Sequence, residues 1–198
     1  MTPKQAYQPQ FCQDCEMPFM ETVKRLVRYQ TPHGFDDLLM CLDGEVLTGL
    51  WFEGSRDERN RTLKLVDTSP GASLPSAFYE TCRWLDIYFS GRQPDFMPAY
   101  RMDKMTPFRK QVSDIMCEIP FGKTMTYGEI ARCIVEPFQE TSLSRKMSAQ
   151  AVGGAVGWNP ICIIVPCHRV LGANGSLTGY GGGMENKIAL LRHEGHDI

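Results

Sequence analysis

The chain has 198 residues, 42% of them hydrophobic and 22% charged, with a formal net charge of −2. This composition suits a soluble globular protein of one large or two small domains, and the near-neutral charge gives the surface as a whole no pull on nucleic acid. No apolar run reaches the ~18–20 residues a membrane-spanning helix needs, and the opening MTPKQAYQPQFCQDCEMPFM lacks the apolar core of a signal peptide. A cytoplasmic location is therefore expected, with the eight cysteines as free thiols.

Residues 1–20 read as an extension. Cys12 and Cys15 within it have metal-ligand spacing, but no second cysteine pair follows at zinc-ribbon distance, and His33 and Cys41 do not complete a set of four. No metal and no cofactor are expected. Residues 21–92 read as an α/β domain. ETVKRLVRYQTP alternates in part, and Asp43-Gly44 between two apolar runs in LLMCLDGEVLTGLWF signals a hairpin. LPSAFYETCRWLDIYFSG predicts a helix with Phe78, Cys82, Leu85 and Phe89 on one face and Gly91 as its stop, and Trp84 and Tyr88 are expected to pack in the core. Residues 93–105, rich in proline and without periodicity, read as a linker.

Residues 106–198 form the second unit. PFRKQVSDIMCEI predicts a helix with Phe108, Val112, Ile115 and Met116 along one side. Thr126 and Glu129 make a capping box, so a helix starts near Tyr127. Ser148 caps a short helix over Ala149–Val156 that ends at Gly157, and two short helices with a turn between them suit a helix-turn-helix. The second is built of tiny residues, which cost helix stability but let the backbone approach another surface, a neighbouring helix or a DNA groove. From Thr141 to Met184 there is no Asp or Glu, while Arg145, Lys146 and Arg169 are present. That pattern suits either a phosphate-tolerant surface or a glycine-rich core. A last helix is expected to bury Met184, Ile188 and Leu191 and to end at Glu194.

The chemistry gathers at ICIIVPCHRVLG. Apolar residues around Cys162 predict a buried strand that stops at Pro166 and delivers Cys167 at its end, with His168 beside it. An imidazole that takes the thiol proton favours the thiolate, the true nucleophile, and a carboxylate such as Glu194 is a candidate to orient the ring.

PCHRV, after VGGAVGWNPICIIV and before NGSLTGYGGG and KIALLRHEG, closely resembles the O6-alkylguanine-DNA alkyltransferases, or methylated-DNA–protein-cysteine methyltransferases. The likeness runs from about Thr106 to Gly195 and is loose in the first half. It implies a ribonuclease-H-like small sheet in the N-terminal α/β domain and a mostly helical C-terminal domain with the helix-turn-helix. It implies a monomeric DNA-repair protein that flips O6-alkylguanine, with O4-alkylthymine as a second candidate substrate, out of double-stranded DNA and takes the alkyl group irreversibly onto Cys167. His168 would draw off the thiol proton through a water, Glu194 would orient it, Tyr127 would donate to the leaving base, and Asn159 would be the hinge. Val165, Arg169, Tyr180 and Gly181 would shape the base pocket, and the glycines would leave its wall open to larger alkyl groups. Lys146, Ser148, Ala149, Gln150, Ala151 and Gly153 would face DNA. The chain departs from the family at Gln150, which stands where most members insert an arginine into the base stack.

Three other readings compete. A lesion-flagging relative without transfer typically replaces the acceptor cysteine, here intact. A regulatory sensor would carry a further DNA-binding module, and a thiol hydrolase would need an oxyanion hole that no stretch signals.

Overall fold

The structure is a computed structural model and describes residues 24–56, 73–135 and 148–198. The extension with Cys12 and Cys15, and the cations Arg145 and Lys146, lie outside the described residues. Strands β1 (Lys24–Tyr29), β2 (Leu38–Asp43) and β3 (Val46–Phe52) form an antiparallel sheet in that order. The β2–β3 hairpin turns at Gly44, whose φ of +58° suits a residue without a Cβ. One face carries Val27, Leu38, Met40, Leu42, Leu47, Leu50 and Phe52 into the main core. The other holds a small cluster of Leu26, Leu39, Cys41 and Trp51. A bulge at Cys41/Leu42 shifts the register, so Leu47 joins the face of Leu50 and Phe52. Gly49 is a space requirement, because a Cβ there would sit 2.0 Å from Trp51 Cζ3.

Helix α1 (Ser76–Phe89) packs on this sheet. Its buried face is Ala77, Thr81, Trp84, Leu85 and Tyr88, while Phe78, Cys82 and Phe89 flank it only partly covered. The expected face is thus rotated toward the larger rings, since more apolar area leaves water that way. The linker does not hang free: Leu47 N donates to Ala99 O at 3.0 Å and Arg101 N to Leu47 O at 2.8 Å. Further along β3, Leu50 N donates to Pro160 O at 2.8 Å and Cys162 N to Leu50 O at 2.9 Å. The edge of β3 is therefore paired with backbone from both the linker and the second half, which fixes the 161–166 segment against the sheet.

In the second half, α2 (Pro107–Cys117) starts at Thr106, whose hydroxyl accepts from Arg109 N. The two-residue strand β4 (Met125–Thr126) leads into α3 (Tyr127–Val135) through the expected capping box: Glu129 accepts from Thr126 N at 2.6 Å, and Thr126 Oγ1 from Glu129 N at 3.2 Å. Helix α4 (Ala149–Val156) has Ser148 as N-cap, accepting from Ala151 N, and buries Val152, Ala155 and Val156 against α2 and α3. The turn expected between α3 and α4 falls at 136–147, outside the described residues.

Two expectations fail. The apolar run at 161–165 is a compact buried turn rather than a strand: Ile164 N donates to Cys162 O at 2.7 Å, Val165 N to Ile161 O at 3.1 Å, and Ile163 takes φ +65°. A β-branched residue is disfavoured there, and the reason it holds is local. The Asn159 side chain satisfies the carbonyls of Ile161 and Val165, and the edge of β3 bonds this stretch only at Pro160 O and Cys162 N, so the backbone closes into a turn instead of running on as a strand. In the last helix, α5 (Met184–His193), Leu191 is buried as expected, but its buried companions are Asn186, Lys187 and Leu190 rather than Met184 and Ile188. The face is turned because two polar side chains find buried partners: Lys187 Nζ donates to Val170 O, and Asn186 to Gly182 O.

Candidate active site

Cys167, His168 and Arg169 form one 3-10 turn, continued by β5 (Val170–Leu171). β5 pairs in parallel with β4, Met125 opposite Val170 and Thr126 opposite Leu171, and so brings Tyr127 to the cysteine's side of the molecule. All three residues of the turn are buried.

Asn159 is the local organiser. Its Oδ1 accepts from Ile161 N at 3.0 Å, which orients the amide, and Nδ2 then points to Ile161 O (3.2 Å), Val165 O (2.8 Å) and Cys167 Sγ (3.1 Å). Two protons serve three acceptors. A donor this close favours a sulfur carrying negative charge. The expected hinge residue thus holds the turn and touches the sulfur.

His168 is fully buried, and its Nε2 lies 2.8 Å from Glu194 Oε1. An ionised carboxylate accepts only, so Nε2 carries the proton. Burial lowers the imidazole pKa and the Glu194 charge opposes the shift only in part; the neutral ring leaves Nδ1, which is buried with no hydrogen-bond partner among the described residues, as its basic atom. Burial alone would raise the Glu194 carboxyl, but bonds and charge from His168 and Arg169 bring it down to about 2. Arg169 Nε and Nη2 donate to Glu194 and Nη1 to Ile119 O.

The Arg169 bonds to Glu194 were not foreseen, nor were two donors from outside the expected site. Gly122 N reaches Oε2 at 3.1 Å, and Tyr88 OH reaches Oε1 at 2.9 Å from α1. Core packing of Tyr88 was expected and holds for its ring; the signal for more was that a buried phenol must find a partner.

A narrow cavity of about 10 Å³ opens at the sulfur, lined by Val156, Gly157, Asn159, Cys162, Cys167, Gly179, Tyr180 and Gly181. It has room for about one water. The open wall expected from the glycines is therefore absent: Gly181 is buried, and a Cβ on Gly182 would strike both Tyr180 and Phe52, so this segment packs tightly on the sheet. Tyr127 is half-buried; burial raises its pKa, so its hydroxyl stays protonated, in contact with Thr178. Gly153 faces the Tyr127 ring at 3.9 Å. Val165 and Arg169 stand apart from the cavity wall. Val165 is in the core, and Arg169 lines a separate cleft of about 330 Å³ with Trp84, Phe121 and Pro166. Ser148, Ala149, Gln150 and Ala151 are exposed on α4, Gly153 is half-buried, and Lys146 lies outside the described residues.

Comparison with known proteins matches this arrangement to one family. A family model described as 6-O-methylguanine DNA methyltransferase, DNA binding domain, matches residues 107–196. The methylated-DNA–protein-cysteine methyltransferase of Mycobacterium leprae is 39% identical over 162 residues, 81% of this chain and 87% of that protein. The chain belongs to the methylated-DNA–protein-cysteine methyltransferase family. The family member from Methanosarcina acetivorans is 46% identical over 118 residues, covering 60% of this chain and 69% of its own. Among solved structures, Mycobacterium tuberculosis OGT in complex with DNA aligns with a TM-score of 0.65 at 37% identity, over 86% of this chain and 92% of that one. The O6-methylguanine-DNA methyltransferase of Pyrococcus kodakaraensis, 22% identical with a TM-score of 0.58 over 88% of this chain and all of that one, shares the fold. The small antiparallel sheet with helices is thus the family's architecture.

Proposed function

We propose that the protein repairs DNA directly, moving the alkyl group of O6-alkylguanine irreversibly to Cys167. The observation that carries this reading is the sulfur held by Asn159 Nδ2 beside a buried His168–Glu194–Arg169 network. A neutral His168 accepts the thiol proton at Nδ1 through a water, and Glu194, too weak a base to take it, keeps the ring in the required tautomer. The sulfur lone pair forms the C–S bond as the C–O6 bond breaks and its electrons pass to the guanine. Tyr127 donates to the departing base; such help is typically worth ~10²–10⁴-fold. The thioether has no leaving route, so each molecule reacts once.

The target lies inside the duplex and must be rotated out, at a few kcal/mol. A purine cannot enter a 10 Å³ cavity, so Tyr180 and Gly181 must swing outward to admit it. Val165 and Arg169 then act from behind, Val165 by its carbonyl bond to Asn159 and Arg169 by its grip on Glu194. We assign α3 and α4 to a helix-turn-helix that presents Ser148, Ala149, Gln150, Ala151 and Gly153, with Lys146, to double-stranded DNA. The side of α4 at Gly154, where a Cβ would meet nothing within 4 Å among the described residues, suits entry into the minor groove. The remaining assignments are a ribonuclease-H-like sheet over 21–92, a linker at 93–105, a DNA-binding and acceptor domain over 106–198, and a cytoplasmic monomer. Among the described residues no helix is long and apolar enough to cross a membrane.

Intact mass spectrometry after exposure to O6-benzylguanine tests the reading. One benzyl group on the wild-type chain and none on Cys167→Ser is expected; an unlabelled wild type overturns it.

A further inference from the structure

We propose that Tyr88, on α1 of the N-terminal half, is a positioning residue for alkyl transfer, its hydroxyl donating to the same Glu194 oxygen that receives His168 Nε2–H. The inference rests on the alkyl-transfer reading and adds a residue from the half of the chain that carries none of the expected site residues.

The geometry leaves the hydroxyl one role. Tyr88 OH lies 2.9 Å from Glu194 Oε1 but 3.5 Å from His168 Nε2, too far for a strong direct bond, so it acts on the imidazole through the carboxylate. Oε1 then holds donors from Tyr88, His168 and Arg169 together. Each donor disperses some of the carboxylate charge and weakens its attraction for a second proton on the imidazole. Tyr88 thus helps keep His168 neutral and able to accept at Nδ1, while Glu194 keeps the tautomer.

The phenol is held on every side. Its ring stacks on Trp84 with centroids 5.6 Å apart and meets Phe89 and Phe121 edge-on at 5.3 and 5.8 Å. Its backbone carbonyl accepts from His193 Nε2 at 2.8 Å. Phenylalanine would fill the same space, so packing does not account for the hydroxyl. The charged and titratable groups around the pair are Glu194, Lys187 and His193 from the last helix and its cap, Arg169 and Cys167 from the turn, and Cys162 from the preceding segment. Tyr88 itself stays protonated, since burial and then the Glu194 charge push its pKa well up.

Tyr88→Phe is the test, read by single-turnover benzyl transfer to Cys167 across about pH 5–9, the range where histidine titrates. Without the hydroxyl the carboxylate favours imidazolium more, so the acid limb of the profile should move up by roughly half a pH unit, with the rate on that limb down about threefold and the alkaline plateau unchanged. The change should be equal for free O6-benzylguanine and for alkylated duplex, with the duplex Kd unchanged. In a Glu194→Gln background the same substitution should move the profile no further. A profile of Tyr88→Phe that superimposes on the wild type overturns the proposal, whatever happens to Tm. The NMR titration of the His168 ring keeps the two readings apart. If the wild type fails to take the benzyl group while the His168 titration still moves in Tyr88→Phe, alkyl transfer falls and the hydroxyl's control of the imidazole stands; if neither occurs, both fall.

Discussion

On one side of the Cys167–Arg169 turn, Glu194 accepts from Tyr88, His168, Arg169 and Gly122 in a sealed pocket. On the other, the sulfur faces the Asn159 amide and a cavity of about 10 Å³ walled by Gly179, Tyr180 and Gly181. The polar side is over-determined because a buried charge is tolerable only when every lone pair is used. The sulfur side is narrow and short of polar groups, as a site that must meet an incoming alkyl carbon requires. Orientation is built in advance, whereas space is left to be made by the substrate.

The largest effect should come from the sulfur side. Cys167→Ser should abolish transfer to within detection by mass spectrometry while leaving duplex binding and Tm near wild type. That outcome would separate chemistry from recognition; residual transfer would mean that another thiol is the acceptor.

The polar side should respond in stability as well as in rate. Glu194→Gln leaves Arg169 buried without its counter-ion, a loss expected to cost about 3–5 kcal/mol in denaturant unfolding. The pH dependence follows from the same residues. Glu194 titrates in the folded state at about 2, below its ordinary 4.5, so its contribution is complete above 4.5 and lost as pH falls toward 2. The pKa of His168 is likewise lowered by burial, so its contribution is complete above 6.5 and declines as pH falls below that value. Both act in one direction, and stability should fall monotonically on acidification from about pH 6.5. A flat wild-type profile between 6.5 and 4.5 would show that His168 carries no such linkage.

Asn159 joins the two sides, and Asn159→Ala should affect both. Two buried carbonyls lose their donor, for about 2 kcal/mol of stability, and transfer to Cys167 should slow by about tenfold. A stability loss with an unchanged rate would reduce Asn159 to scaffolding. The smallest effect is expected at the DNA-facing surface. Gln150→Arg should raise the rate on alkylated duplex about two- to threefold, from added phosphate attraction and a longer reach into the stack, and leave the reaction with free O6-benzylguanine unchanged.

Much of the frame was legible in the sequence because its signals are local. The Thr126–Glu129 box, the Ser148 cap and the Gly44 turn each satisfy backbone groups within a few residues, so they hold whatever surrounds them. The 161–165 segment misled for the same reason in reverse. Its composition is that of a strand, but the Asn159 side chain and the edge of β3 supply its hydrogen bonds, and neither partner shows in an apolar run. The last helix misled through Lys187, whose burial depends on Val170 and Thr178 offering carbonyls from another part of the chain.

By itself the sequence set a cysteine and an imidazole side by side and placed the capped helices around them, since neighbours in the chain must be neighbours in space. Tertiary structure alone decided that Tyr88 meets Glu194 across 106 positions, that Arg169 grips that carboxylate rather than lining the cavity, and that the glycine-rich wall is closed. Those outcomes depend on which buried donors and acceptors find one another when the two halves pack, and pairing of that kind leaves no periodic trace in the order of residues.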